Sequence, residues 1–151
     1  MSCQNFYFND ARDGLNWRTR LVFRSFMKYK STRGQVADLG FSDALLMGLA
    51  SDGGLLVPEN IPDVRPELEH WRDLNFVELA QELIPKFIDD IDSQTLRGLI
   101  SESYASFSHA DVVALQDLDG ISVLELFHGP TLAFKDVALQ LLGKLFEHVL
   151  G

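Results

Sequence analysis

The stretch that most restricts the fold lies at the C-terminal end, where "ISVLELF" (Ile121–Phe127) is followed by "HGPT" and then by an apolar-periodic run to Leu150. Ile121–Phe127 has five apolar residues in seven and reads as a buried strand. The Gly129-Pro130 pair interrupts any regular element, because proline supplies no backbone N–H and fixes φ. Beyond it Val137, Leu141, Leu145 and Val149 recur every four residues, which predicts a helix over 134–150 with one apolar face. Strand, turn and helix in succession point to an α/β domain. The space beyond the carboxyl end of such a strand is where α/β folds bind ligands.

The upstream residues fit that class. Lys28–Arg33 reads as a short strand closed by Gly34. Ser42 is a candidate N-cap for a helix carrying Ala44, Leu45, Leu46, Met47 and Leu49, which Ser51-Asp52-Gly53-Gly54 would stop. "GLLVP" reads as a second short strand, ended by Pro58, and Pro58, Pro62 and Pro66 make the next stretch a connector. Phe76, Leu79, Ala80, Leu83 and Ile84 mark one face of a helix that Pro85 kinks or ends. A further helix is predicted over 93–107, with Leu96, Leu99, Ile100 and Tyr104 inward. "DVVALQDL" and "GISVLELF" are expected to pair across the turn Asp117–Gly120.

Charge and composition exclude several functions. The chain has 151 residues and a net charge of −9, the wrong sign for displacing counterions from nucleic acid. No apolar run approaches the roughly 18 residues of a membrane span. The single cysteine, Cys3, cannot form an internal disulfide, so a reducing, cytoplasmic setting is expected. Residues 1–26 are set apart: four arginines and two aspartates make them net positive against an acidic remainder. Asp10, Asp13 and the lack of an apolar core fit poorly with a targeting peptide. A disordered extension preceding a natural start at Met27 is the simpler expectation.

The chemistry centres on Lys135, between Phe134 and Asp136. Apolar neighbours and the positive end of a helix both disfavour an ammonium, and a neutral lysine amine attacks aldehydes to form a Schiff base. The competing reading is a solvated lysine in a first helical turn, which residue statistics favour, since lysines are seldom buried. Thr131 is expected to cap the helix, with a ligand-facing hydroxyl as the alternative. His128 is a loop residue or an acid/base group, and Asp136 complements the helix dipole. His70, His109 and His148 have no partners at metal-ligand spacing, and no site for a metal is expected. There is no glycine-rich loop of nucleotide-binding type.

Four segments in order, "YKSTRG" (Tyr29–Gly34), "GLASDGGLLVPENIP" (Gly48–Pro62), "SYASF" (Ser103–Phe107) and "LELFHGPTLAFKDVALQLLG" (Leu124–Gly143), resemble the N-terminal part of threonine synthases of the fungal and bacterial type. The resemblance spans about residues 27–151. It implies an α/β domain of a fold-type II pyridoxal 5'-phosphate enzyme, related to the tryptophan synthase β subunit. It also implies the conversion of O-phosphohomoserine and water to threonine and phosphate. By the same resemblance Lys135 is the cofactor lysine and proton shuttle, Phe134 and Asp136 flank the cofactor, and Thr131 and His128 lie on the substrate side. Residues 1–26 match nothing in the family, 27–112 would be its N-terminal domain, and 113–151 the start of its catalytic domain.

Two features depart from the family. Lys144 stands where asparagine is usual, and the family continues for several hundred residues, including a Ser/Thr- and Gly-rich loop for the cofactor phosphate. The chain therefore reads as a truncated, N-terminal portion, expected to be inactive alone. Two other readings stay open: a threonine-synthase-like phospholyase, and a non-catalytic module that pairs with a full-length subunit. The oligomeric state is not implied either way.

Overall fold

The computed structural model describes residues 26–151, so the expectation for residues 1–26 lies outside the described residues except at Phe26. The elements run β1 (Tyr29–Ser31), α1 (Phe41–Met47), β2 (Leu56–Pro58), α2 (Leu68–Trp71), α3 (Phe76–Leu83), α4 (Ser93–Tyr104), β3 (Ala114–Leu118), β4 (Ile121–Glu125) and α5 (Asp136–Leu150). The strands form two separate antiparallel ribbons, β1 with β2 and β3 with β4.

The core is made by the helices. Leu96 and Ile100 of α4 are completely buried, joined by Ala80 of α3, Ile88, Ile91, Tyr104, Val112 and Leu145 of α5. The inward faces predicted for α3, α4 and α5 are thus the faces that pack. Burying a side chain such as Ile100 is worth about 1.5–3 kcal/mol. Leu145 belongs to the same cluster as Ile100, so the core draws on residues from both sides of position 112. The Tyr104 hydroxyl donates to the Val137 carbonyl at 3.0 Å, tying the end of α4 to the first turn of α5. Its ring meets Phe76 and Phe107 edge-on, with centroids 5.0 and 5.6 Å apart.

Three local expectations are corrected. Ser42 does not cap α1: the N-cap is Gly40, without a side-chain bond, and the Ser42 N–H is satisfied by Asp90 Oδ2 at 2.8 Å. The cap comes from a residue 48 positions away, which local spacing cannot reveal. Helix α1 ends at Gly48 (φ 65°), before Ser51-Asp52-Gly53-Gly54. That turn has its own work, since the Asp52 carboxylate accepts from the Ser31 hydroxyl (2.7 Å), the Gln35 N–H (3.0 Å) and the Gly54 N–H (2.9 Å). The bond from Ser31 foremost holds the Asp52 carboxyl below the usual carboxylate range.

The third correction concerns Ile121–Phe127. Its first five residues, Ile121–Glu125, form a strand that pairs with β3 as expected, but the stretch is not buried: Ile121, Leu124 and Phe127 are 67%, 53% and 52% exposed. Among the described residues β4 has only β3 beside it, and a two-stranded ribbon with no layer against it leaves its side chains in water. The turn is tighter than predicted, with Leu118 opposite Ile121 and only Asp119 (φ 43°) and Gly120 (φ 90°) between. Positive φ at both positions is the two-residue hairpin geometry that Asp-Gly favours. No helix among the described residues is long and apolar enough to cross a membrane.

Candidate functional site

Lys135 closes the turn between β4 and α5, as the residue immediately before the helix. The structure places it in solvent, with Leu132 and Phe134 beside it 72% and 64% exposed. The apolar surroundings expected around its amine are neighbours in sequence but do not enclose it. The helix that follows is 15 residues long, so its positive end faces the lysine.

What holds this lysine in place is Asp136, which is only 2% exposed. Its Oδ2 accepts the Thr131 N–H at 2.7 Å, and its Oδ1 accepts the Thr131 hydroxyl at 2.8 Å and the Gln140 amide at 3.3 Å. Burial by itself would push the Asp136 carboxyl up. The bonds from Thr131, Gln140 and the Ala133 backbone outweigh it and hold the group below the ordinary carboxylate range. Thr131 and Asp136 close a loop of which Lys135 is the last residue but one. The loop is also braced inside by Leu132 N–H to Gly129 O (3.1 Å) and Asp136 N–H to Ala133 O (3.0 Å).

These contacts revise three expectations. Thr131 does not cap α5, because its hydroxyl and its N–H are both spent on Asp136. Asp136 does more than complement a dipole: its oxygens are turned into the loop and brace it. Gly129 matters for a reason that the turn alone did not show. It is buried, and a Cβ there would lie 2.5 Å from Asp136 Oδ2 and closer still to the Asp136 Cβ. Glycine is required because the backbone and the carboxylate approach so closely.

His128 sits apart from the Thr131–Asp136 bonds. Its Nε2 lies 2.7 Å from Glu125 Oε2, its carbonyl accepts from the Ser108 N–H (2.9 Å), and its ring neighbours those of Phe127 and His109, with centroids 4.7 and 4.9 Å away. Neither Glu125 nor Ser108 was singled out beforehand. Glu125 stands three residues before His128 at the end of a strand, where sequence gives no facing rule, and Ser108 is distant in sequence. Among the described residues, no group of three His, Cys, Asp or Glu side chains could hold a metal ion. A cavity of about 300 Å³ lies against Leu142 and Phe146 of α5. At 1.5 Å per residue Leu142 is about 10 Å along the helix from Lys135, so this cavity is not the lysine site.

Comparison with known proteins decides the family. Residues 28–104 match the family model "Threonine synthase N terminus", which is half of the chain. The chain belongs to the threonine synthase family. It is 51% identical over 128 residues to the threonine synthase of Pseudomonas aeruginosa, covering 83% of this chain and 27% of that protein. It is 46% identical over 130 residues to the threonine synthase of Schizosaccharomyces pombe, covering 83% of this chain and 25% of the relative. The crystal structure of the threonine synthase of Brucella melitensis with bound pyridoxal phosphate superposes with a TM-score of 0.78 at 44% identity, over 82% of this chain and 27% of that one. The fold is therefore the α/β N-terminal domain of this fold-type II family, and the chain spans about a quarter of the length of the relatives that it matches.

Proposed function

We propose that Lys135 is the cofactor lysine of a threonine synthase, and that the protein containing these residues converts O-phosphohomoserine and water to threonine and phosphate. The observation that carries the reading is an accessible amine at the start of α5, on a loop clamped by Thr131 and Asp136. Selectivity among the lysines supports it. Of the five in the sequence, Lys28 bonds the Asp38 carbonyl, Lys86 pairs with Glu67, and Lys144 pairs with Glu102 and Glu147. Lys30 and Lys135 are left as the accessible amines without such partners among the described residues, and only Lys135 stands at a helix N-terminus.

These residues fit pyridoxal 5'-phosphate at its aldehyde end, where an exposed primary amine is needed and Phe134 offers an apolar face. When bound, the cofactor supplies an aldehyde for the lysine and an electron sink for the substrate carbons. The protein's part is positional and acid–base. The Lys135 amine, on its flexible four-carbon stem, accepts the proton of the substrate Cα and serves neighbouring Cβ in turn. Asp136 and Thr131 fix where that stem begins. Phe134 and Leu132 present apolar surface from which water can be excluded once the substrate half of the site covers them.

The direct test is incubation of the full protein with pyridoxal 5'-phosphate, borohydride reduction and peptide mass mapping. A pyridoxyl adduct on Lys135, absent in Lys135→Ala, is expected, while Lys30 serves as the internal control for unselective labelling. Equal labelling of Lys30 and Lys135 would remove the support. In the full protein, O-phosphohomoserine is expected to give threonine; 2-oxobutyrate and ammonia in its place would identify a phospholyase.

A further inference from the structure

The hydrogen bonds from Thr131 to Asp136 secure one end of the lysine loop, and a second set of contacts secures the other. Glu125 is the last residue of β4, and its side chain and that of His128 are only 23% and 15% exposed. At 2.7 Å from a carboxylate oxygen, His128 Nε2 carries the proton and donates it to Glu125 Oε2. Two rings neighbour the imidazole, with the Phe127 centroid 4.7 Å away and the His109 centroid 4.9 Å away. His109 is itself oriented, since its Nδ1 accepts the Asp111 N–H at 3.1 Å. The His128 carbonyl then takes both the N–H (2.9 Å) and the hydroxyl (3.2 Å) of Ser108, from the segment after α4. The very next residue is Gly129, the one packed against Asp136. His128 is thus fixed through ring, Nε2 and carbonyl, at the point where the chain leaves β4 for the lysine loop.

We propose that Glu125 and His128 are positioning residues, a latch that fixes the Gly129–Thr131 turn and so sets where Lys135 is presented. The latch rests on the assignment of Lys135 only for its consequence in chemistry; its mechanical part stands on these contacts alone. It differs from an acid/base role for His128. An imidazole whose Nε2 is bound to a half-buried carboxylate and whose side chain is largely out of water, beside two other rings, is committed to holding structure.

The test uses backbone amide exchange, read by NMR or mass spectrometry on the chain itself, in Glu125→Ala, His128→Ala and His128→Gln. Losing one partner of a charge-assisted bond is expected to speed exchange at Thr131 and Leu132 by about tenfold in both alanine variants. The amides of Leu96 and Ile100 should keep their rates. His128→Gln, whose amide nitrogen can reach the place of the imidazole Nε2, is expected to restore most of the protection. Pyridoxyl labelling of Lys135 should fall with the loss of protection in the alanine variants and recover in His128→Gln. Unchanged exchange at Thr131 and Leu132 in Glu125→Ala would overturn the latch, and so would faster exchange of equal size at Ile100. Failure to label Lys135 in the unmodified full protein, with exchange behaving as stated, would count against the lysine assignment and leave the latch in place.

Discussion

Replacing Gly129 with alanine tests the lysine loop with a single methyl group. The added Cβ would sit 2.5 Å from Asp136 Oδ2 and 2.8 Å from its Cγ, and nearer still to its Cβ. Carbon atoms reach their best separation at 3.5–4.0 Å, so the side chain has to retreat by about 1 Å. It cannot retreat freely. Asp136 is 2% exposed, is held by two bonds from Thr131 and lies in the first turn of α5, which Tyr104 grips at Val137. Overpacking of this kind costs about 1–3 kcal/mol. Lys135 immediately precedes Asp136 and moves with it, and a misplacement of about 1 Å can cost on the order of 100-fold in reactivity.

The expected result of Gly129→Ala is therefore a loss of about 1–3 kcal/mol in urea unfolding together with a loss on the order of 100-fold in the rate of pyridoxyl labelling at Lys135 in the full protein. Gly143→Ala is the control, because a Cβ there meets nothing within 4 Å and Gly143 lies inside α5. The same substitution is expected to stabilise by about 0.5–1 kcal/mol there, through helix propensity alone, with labelling unchanged. If Gly129→Ala kept wild-type stability and wild-type labelling, the close approach to Asp136 would not constrain the lysine, and the argument would fall.

Three other outcomes follow from the same contacts. Ile100→Ala, at a completely buried position, should cost about 2–5 kcal/mol in urea unfolding, and a loss below about 1 kcal/mol would contradict the core described above. Because the Asp136 carboxyl is held below the carboxylate range in the folded chain, its bonds to Thr131 contribute fully at neutral pH and are lost as pH falls through that lowered value. The protection of the Thr131 amide, its exchange rate relative to the intrinsic rate at the same pH, should accordingly fall in acid, and Asp136→Asn should remove that acid limb; an unchanged limb would assign it to another group. Finally, the chain alone should release no measurable phosphate from O-phosphohomoserine, because Lys135 and Phe134 stand in open water and the chemistry needs water excluded. Measurable release would refute that dependence.

How much of this was legible beforehand follows from the range of each interaction. The faces of α3, α4 and α5 were readable because their period is local, and the residues that repeat, Ala80, Ile100 and Leu145 among them, do form the core. The β3–β4 pairing was readable for the same reason, since Asp119-Gly120 specifies its own turn. The exposure of β4 was not, because apolar composition reports that a strand needs a cover without saying what supplies it. Lys135 could be singled out by its neighbours in sequence, yet its surroundings could not, and the structure puts it in solvent. The loop around it depends on a carboxylate at 136 meeting a backbone at 129 and a threonine at 131, and on Ser108 reaching across to His128. None of these follows a helix or strand period. Asp136 could be explained completely by the dipole at the start of α5, and that sufficient local reason hid its second role. A residue that satisfies one rule can still be held in place by another, and at this site the tertiary contacts, more than the helix dipole, settle where the lysine stands.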